Sequence, residues 1–259
     1  MATPHTHLTI LTGASRGMGL SMAQRLLHAD HHLLCVSRQR NDELTARAQA
    51  SGAQLTQWTL DLSDATTAAE RLGAWLGAQA TASIASVTLI NNAGVIPPIG
   101  PLGTCPPQEL TRALRVGLEA PMLLTGAFLR ATQAWVDAGW RGPRKVLNIS
   151  SGLGRHAMAA QAPYCAAKAG MDHFTRCCAL EEAQHAHGAQ LVSLAPGVID
   201  TDMQKQLRAG DPALFPDRER FVSLQQQGQL TSPDEAAERV LAYLARADFG
   251  SHAVADVRD

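Results

Sequence analysis

The stretch LTILTGASRGMG, Leu8 to Gly19, decides the fold. An apolar run ends in a glycine, which predicts a buried strand followed by a tight turn. Leu20, Ala23, Leu26 and Leu27 then recur at helical spacing, so a helix is predicted from about Gly17 to Ala29. Glycines at 13, 17 and 19 permit the turn, let backbone N–H groups approach a phosphate and let the helix lie close on the sheet. No Gly-Lys-Ser/Thr closes the segment, so it is not a P-loop. Three glycines alone also fit an ordinary strand-to-helix turn. Their place after the first strand is what favours a dinucleotide.

The same alternation continues along the chain. Strands are predicted in HLLCVS (His32–Ser37), QLTQWTLDL (from Gln54), SVTLINNAG (from Ser86), KVLNISS (from Lys145), AQLVSLAPG (from Ala189) and the tail HAVADV. Helices are expected behind Asn41, behind Ser63 or Asp64 to about Gly77, and from Gln108 to Ala138 in two pieces around Gly117–Pro121. Others are expected from Ala162 to His187 and behind the cap Ser232. FPDRERFVSLQQQGQL, from Phe215, reads as polar and less regular. No composition break separates these units. The expected fold is α/β: one domain over 1–259, a Rossmann-type, doubly wound parallel sheet with helices on both faces.

Composition narrows the function. The 259 residues carry a formal net charge of −1, and the arginines are scattered, which argues against a nucleic-acid groove or a polybasic membrane patch. The start, MATPHTHLTI, has no leader pattern, and no apolar run reaches the ~20 residues of a membrane helix. Five cysteines without a CxxC point to reduced thiols, and a cytoplasmic protein is expected. The histidine pairs His5/His7, His31/His32 and His185/His187 lack acidic or thiol ligands at metal-site spacing, so no metal is expected.

The end of the second strand selects the cofactor. An NAD site places an acid there for the ribose 2′-hydroxyl, whereas VSRQRND offers Ser37 and Arg38. Arg38, with Arg16 from the glycine turn, suits a 2′-phosphate, and NADP(H) is expected. The chemistry lies in SSGLGRHAMAAQAPYCAAK, from Ser150. On a helix, Tyr164 and Lys168 share one face, a turn apart. A nearby ammonium favours the phenolate and is expected to bring the phenol below its ordinary value of about 10. Tyr164 then protonates the oxygen of a carbonyl that receives hydride, and Ser151 hydrogen-bonds the same oxygen. A surface tyrosine, a solvated lysine and a turn serine are the bland alternative. A serine hydrolase is disfavoured, because NISSG is not a Gly-x-Ser-x-Gly elbow.

TGASRGMG, NNAG (Asn91–Gly94), Ser151, YCAAK (Tyr164–Lys168) and the PG before Thr201 together resemble the short-chain dehydrogenase/reductase family, in order and spacing, across nearly the whole chain. The resemblance implies Ser151, Tyr164 and Lys168 as the catalytic core. It implies Gly13, Ser15, Arg16, Gly17, Met18, Gly19, Ser37, Arg38, Asp61, Leu62, Asn91, Ala93, Gly94, Pro196, Gly197, Ile199 and Thr201 around the cofactor, with Tyr164 and Lys168 beside its nicotinamide end. It also implies a homodimer or homotetramer. One departure is visible: Gly117, in RVGLEAP, stands where the family usually has an asparagine that holds a relay water.

Within the family, PYCAAKAGMD, LAPGVIDTDMQ and GSHAVADVRD resemble the branch of sepiapterin reductases and bacterial reductases of diketones such as benzil. That resemblance implies an NADPH-dependent carbonyl reductase of a pterin side-chain ketone or a vicinal diketone. Ser151, Tyr164 and a C-terminal carboxylate, Asp259, would hold the substrate, and a segment over about 200–230 would cover it, with Leu207, Leu214, Phe215 and Phe221 as its apolar members. Leu153, His156 and Gln161 are expected to face the same pocket. A general 3-oxoacyl or alcohol oxidoreductase, or an NADP-binding sensor with little turnover, are the alternatives.

Overall fold

The computed structural model describes residues 6–259, so His5 of the first histidine pair lies outside the described residues. Strands β1 (Thr6–Thr12), β2 (His31–Ser37), β3 (Gln54–Thr59), β4 (Ile84–Asn91), β5 (Arg144–Ile149), β6 (Gln190–Ala195) and β7 (Val254–Asp256) form one sheet in the order β3-β2-β1-β4-β5-β6-β7. Every pairing is parallel. The strand order reverses at β1, where β4 returns to its other side, and a crevice opens at the carboxyl ends there.

Nine helices cover the described chain: α1 (Gly17–Arg25), α2 (Asp42–Ser51), α3 (Ala65–Gly77), α4 (Pro107–Leu114), α5 (Ala120–Asp137), α6 (Ala162–Glu182), α7 (Asp202–Arg208), α8 (Arg218–Gln226) and α9 (Pro233–Ala245). Strand alternation sorts the apolar side chains onto two faces. Leu8, Ile10, Leu34 and Val36 meet Leu72, Leu76, Leu124 and Phe128 of α3 and α5. Leu11, Leu33 and Cys35 meet Met22, Leu44, Ala237 and Val240 of α1, α2 and α9. Doubly covered strands are the reason the strands read as nearly continuous apolar runs.

Several boundaries differ from the sequence reading. Segment 218–226, expected to be irregular, is the helix α8, held by Phe221 stacked on Phe215 at 5.7 Å. The two pieces expected around Gly117–Pro121 are one continuous run, joined by a π turn over Arg115–Glu119. Proline 121 has no N–H for the carbonyl four residues back, so a wider turn costs little there. Helix α6 stops at Glu182 rather than near His187, because the Glu182 carboxylate accepts from Ala189 N at 2.7 Å and faces the buried Arg144 guanidinium at 3.5 Å. Helix α1 ends at Arg25 and β3 at Thr59, each a few residues early.

The glycine turn is built by close approach. Gly13 adopts φ +70, in the left-handed region, and a Cβ on it would lie 2.9 Å from Ala93 Cα. A Cβ on Gly19 would lie 2.1 Å from Gly13 O, a backbone atom that no rotamer change can move. Gly73, inside α3, meets nothing nearer than Ala127 Cβ at 4.0 Å. Gly19→Ala is therefore expected to cost roughly 3 kcal/mol, a fall in Tm of about 5–10 °C, while Gly73→Ala raises stability by up to about 1 kcal/mol. Thermal melts of the two variants beside the parent check both signs.

Candidate active site

The carboxyl ends of the strands, the glycine turn and helices α7 and α8 enclose a cleft of about 810 Å³. Gly13, Ser15, Arg16, Gly17, Met18 and Gly19 line it from the turn, and Ser37, Arg38, Asp61 and Leu62 line it from the β2–β3 side. Ala93, Gly94, Ser151, Tyr164, Lys168, Pro196, Gly197, Ile199 and Thr201 line it as well. So do Leu153, His156 and Gln161, and the lid residues Leu207 and Phe221. Leu214 is exposed, and Phe215 is buried inside the lid's own apolar cluster.

The turn end fits a dinucleotide. The N-cap of α1, Arg16, makes no side-chain cap bond, so the first-turn N–H groups face the cleft without a side-chain partner. The Ser37 hydroxyl is buried without a partner at the tip of β2. The Gly13 and Gly19 backbones leave a cradle that side chains would fill. Arg16 itself reaches across to Asp202 of α7 at 3.1 Å, with both side chains more than half exposed, instead of turning toward Arg38. Exposed pairs of this kind contribute under about 1 kcal/mol, so a phosphate can compete for that guanidinium.

Two hydrogen-bonded corners fix the floor. The Thr12 hydroxyl accepts from Asn92 N and Ala93 N, both at 3.0 Å, and the Asn92 carboxamide donates back to Thr12 O at 3.0 Å and Gly13 O at 3.2 Å. Asn91 is not in the cleft. Its side chain points into the sheet and donates to Asn148 Oδ1 at 2.8 Å and Thr125 Oγ1 at 3.2 Å. The cleft-lining asparagine is Asn92. Strand alternation explains the exchange, because consecutive residues at a strand tip face opposite ways.

Tyr164 and Lys168 sit one turn apart on α6, both buried, and the ammonium lies 5.8 Å from the phenol ring centre. Lys168 Nζ donates to Ile149 O at 2.6 Å, which ties it to the tip of β5. Ser151 follows that tip, and its hydroxyl accepts from Leu153 N at 3.2 Å, capping a 3₁₀ turn over Gly152–Gly154. The expected lowering of the phenol does not occur. Burial pushes Tyr164 up to about 12, against a smaller downward pull from the Ser151 hydroxyl. Burial also pushes Lys168 down to about 8, opposed by the Asp172 carboxylate. Desolvation is the largest influence on each group, so the phenol is held protonated.

The C-terminal carboxylate in the cleft is Asp256, not Asp259. Asp259 is exposed and accepts from Asp256 N at 3.1 Å. Asp256 closes β7 at its carboxyl end, the edge of such a sheet where ligands bind. Both of its oxygens are taken: Arg258 Nε donates to Oδ1 and Nη2 to Oδ2, each at 2.7 Å. The Arg258 pair holds the Asp256 carboxyl below its ordinary range.

A parallel sheet with a phosphate-fitting turn at its reversal and a serine–tyrosine–lysine cluster at the strand tips defines an oxidoreductase of the nucleotide-dependent kind. The short chain dehydrogenase family model matches residues 7–212, and the chain belongs to the short-chain dehydrogenase/reductase family. It is 33% identical over 241 residues to a benzil reductase ((S)-benzoin forming) of Bacillus cereus, covering 93% of this chain and 94% of that one. It is 30% identical over 263 residues to the sepiapterin reductase of Bos taurus, covering 97% and 94%. A metagenomic short-chain oxidoreductase solved in complex with NADP superimposes with a TM-score of 0.67 at 26% identity, over 98% of this chain and 96% of that one. Among the described residues, no helix is long and apolar enough to cross a membrane.

Proposed function

We propose that this chain is an NADPH-dependent carbonyl reductase that acts on aromatic vicinal diketones of the benzil type. The observation that carries the substrate reading is the Arg258–Asp256 pair. A carboxylate with both oxygens engaged has little left to offer the guanidine-like edge of a pterin. Ile96, Leu153, Met158, Phe221 and Leu224 give the cleft apolar surface that suits aryl groups, beside the polar His156, Gln161 and Arg220. Relatives named for benzil and for sepiapterin support the same branch of activity.

The glycine turn and the N-terminus of α1 would hold the pyrophosphate, Ser37 and Arg38 the 2′-phosphate, and Lys168 the ribose next to the nicotinamide. Bound there, the dinucleotide supplies a hydride to the carbonyl carbon. The Tyr164 hydroxyl gives its proton to the carbonyl oxygen, and Ser151 donates a hydrogen bond to that oxygen as charge develops on it. A phenol pushed up to about 12 is fully protonated at neutral pH, which suits a donor in the reductive direction. The Lys168 ammonium, 5.8 Å from the ring centre, then stabilises the phenolate left behind. Gly117 carries no side chain, so any proton resupply at that position takes no side-chain group from it. Exposed Met122 on α5 and Leu180 on α6 support pairing of copies through those helices, and the chain is read as a homo-oligomer acting in the cytoplasm.

Three measurements test the reading. Tyr164→Phe is expected to lower kcat at least about 100-fold while NADPH affinity, followed by fluorescence, stays within about twofold. Arg38→Asp is expected to weaken NADPH binding by roughly 10- to 100-fold and to leave NADH binding nearly unchanged. Benzil is expected to show a higher kcat/KM than sepiapterin or acetoacetyl thioesters, and Arg258→Ala, which frees Asp256, to raise kcat/KM for sepiapterin alone. Faster reduction of sepiapterin by the parent would remove the diketone assignment. Tight NADPH binding without turnover of any of the three would point to a sensor.

A further inference from the structure

Tyr164, Lys168 and Asp172 follow one another at four-residue intervals on α6, so the three side chains rise along one face. The third is a carboxylate with only 1% of its surface exposed. Its Oδ1 accepts from Ser150 Oγ at 2.5 Å and from Ser193 Oγ at 2.6 Å. Its Oδ2 is buried and has no hydrogen-bond partner, with Arg155 Nε 3.8 Å away. The turn that follows Ser151 lies against it, since a Cβ on Gly154 would come within 2.9 Å of both Asp172 Oδ2 and Lys168 O.

A buried carboxylate costs several kcal/mol unless something compensates it. Two hydroxyls would be satisfied equally by a neutral amide, so hydrogen bonding alone does not explain an acid here. We propose that Asp172 is a positioning residue of the catalytic cluster: it keeps Lys168 in its charged form and pins the Ser150–Ser151 tip of β5 to α6. This rests on the reductase reading of Tyr164 and Lys168 given above.

Arg155 is the cation nearest the carboxylate, at 3.8 Å, and Lys168 lies one helical turn back, beyond ion-pair distance; the π turn packed on α6 carries Arg115 and Glu119, which pair with each other at 3.9 Å. From α6 itself come Lys168 and the Tyr164 phenol. From the 3₁₀ loop comes Arg155, which also donates to Ala255 O at 3.4 Å. The β7 tail beyond it carries Asp256 and Arg258, already paired with each other. Strands β5 and β6 present only the neutral Ser150 and Ser193. Helix α4, packed on α6, carries Glu109 and Arg112, an ion pair of their own at 3.9 Å. Burial draws the Lys168 amine down, and Asp172 is the opposing influence.

The sign follows directly. An amine is charged below its pKa, so removing the negative neighbour makes it lose its proton at lower pH. The readout is a ¹³C-lysine NMR titration of the full-length protein, in which Lys168 is one of only three lysines and Lys145 and Lys205 serve as internal references. Asp172→Asn, which keeps the acceptor for both hydroxyls, is expected to move the Lys168 midpoint about one pH unit lower. Its kcat/KM for benzil is then expected to match the parent within about 1.5-fold at pH 6 and to fall roughly fivefold below it at pH 8. Ser193→Ala, which removes one hydroxyl's positive end from Oδ1 and leaves the carboxylate barer, is expected to shift the midpoint the other way, upward and by less. It decides the matter alone if the asparagine variant does not fold. A Lys168 midpoint that stays within about 0.2 pH units of the parent overturns the proposal, as does an activity loss equal at every pH. Failure of the parent to reduce benzil would instead strike the reductase reading and leave the titration result standing.

Discussion

Everything in the cleft depends on the depth at which α6 is held against the sheet, and buried hydrogen bonds set that depth. Asn91 of β4 donates to Asn148 of β5 at 2.8 Å, and Asn148 donates to Thr175 of α6 at 2.9 Å. Thr175 donates to Met171 O at 2.7 Å, one turn back along the same helix. Lys168 donates to Ile149 O, and Asp172 accepts from β5 and β6 together. Each of these groups is buried, so a helix displaced by a turn would leave several without partners, at about 1–3 kcal/mol apiece. Apolar packing alone would tolerate such a slide far better. The polar ladder converts a greasy contact into a single register, and that register carries Tyr164 to the tip of β5.

The same ladder explains what the sequence made legible and what it hid. Periodicity displayed the alternation of strands and helices, because both faces of a parallel sheet are apolar and every strand reads as a short run. The glycine turn and the four-residue step from Tyr164 to Lys168 were legible because each is local: a turn needs its glycines in order, and a helix face needs only spacing. Asn91 and Asn92 were not separable, since the rule that consecutive strand residues face opposite ways does not say which one faces the cleft until β4 is paired in register. Asp256 and Asp259 were confused for a similar reason, because the end of a three-residue strand is fixed by its partner β6 and not by its own pattern. Helix α8 escaped because Phe221 is its only buried residue, so its sequence shows little amphipathic contrast. Asp172 carried no local signal at all: its two hydroxyl partners lie 22 and 21 residues away, one just past β5 and one on β6.

Burial and charge act against each other in the catalytic cluster, and the outcome is informative. A lysine four residues from a tyrosine leads one to expect an acidified phenol. The enclosure that brings them together removes the water that would solvate either charge, and the phenol rises to about 12 while the amine falls to about 8. In that state the phenol keeps its proton at neutral pH, as the proposed reductive step requires of it. On the proposed reductase reading, charge on Lys168 matters most after the proton has left, when a phenolate exists to be stabilised, so the lysine would act on the transition state more than on the resting one.

Gly117 belongs to the same packing. It lies in the π turn between α4 and α5, and a Cβ there would meet Ala167 Cβ at 3.1 Å, tighter than an ordinary contact. Ala167 immediately precedes Lys168 on α6. A larger residue at 117 would therefore push on the helix that holds Lys168, and the buried hydrogen bonds fixing that helix resist such a shift. The π turn persists without an asparagine because Pro121, which has no N–H to give the preceding turn, already favours a widened backbone there. The geometry of the helix junction is thus kept by the backbone without a side chain at 117. Close contact between the junction and α6 is the reason for the residue at that position.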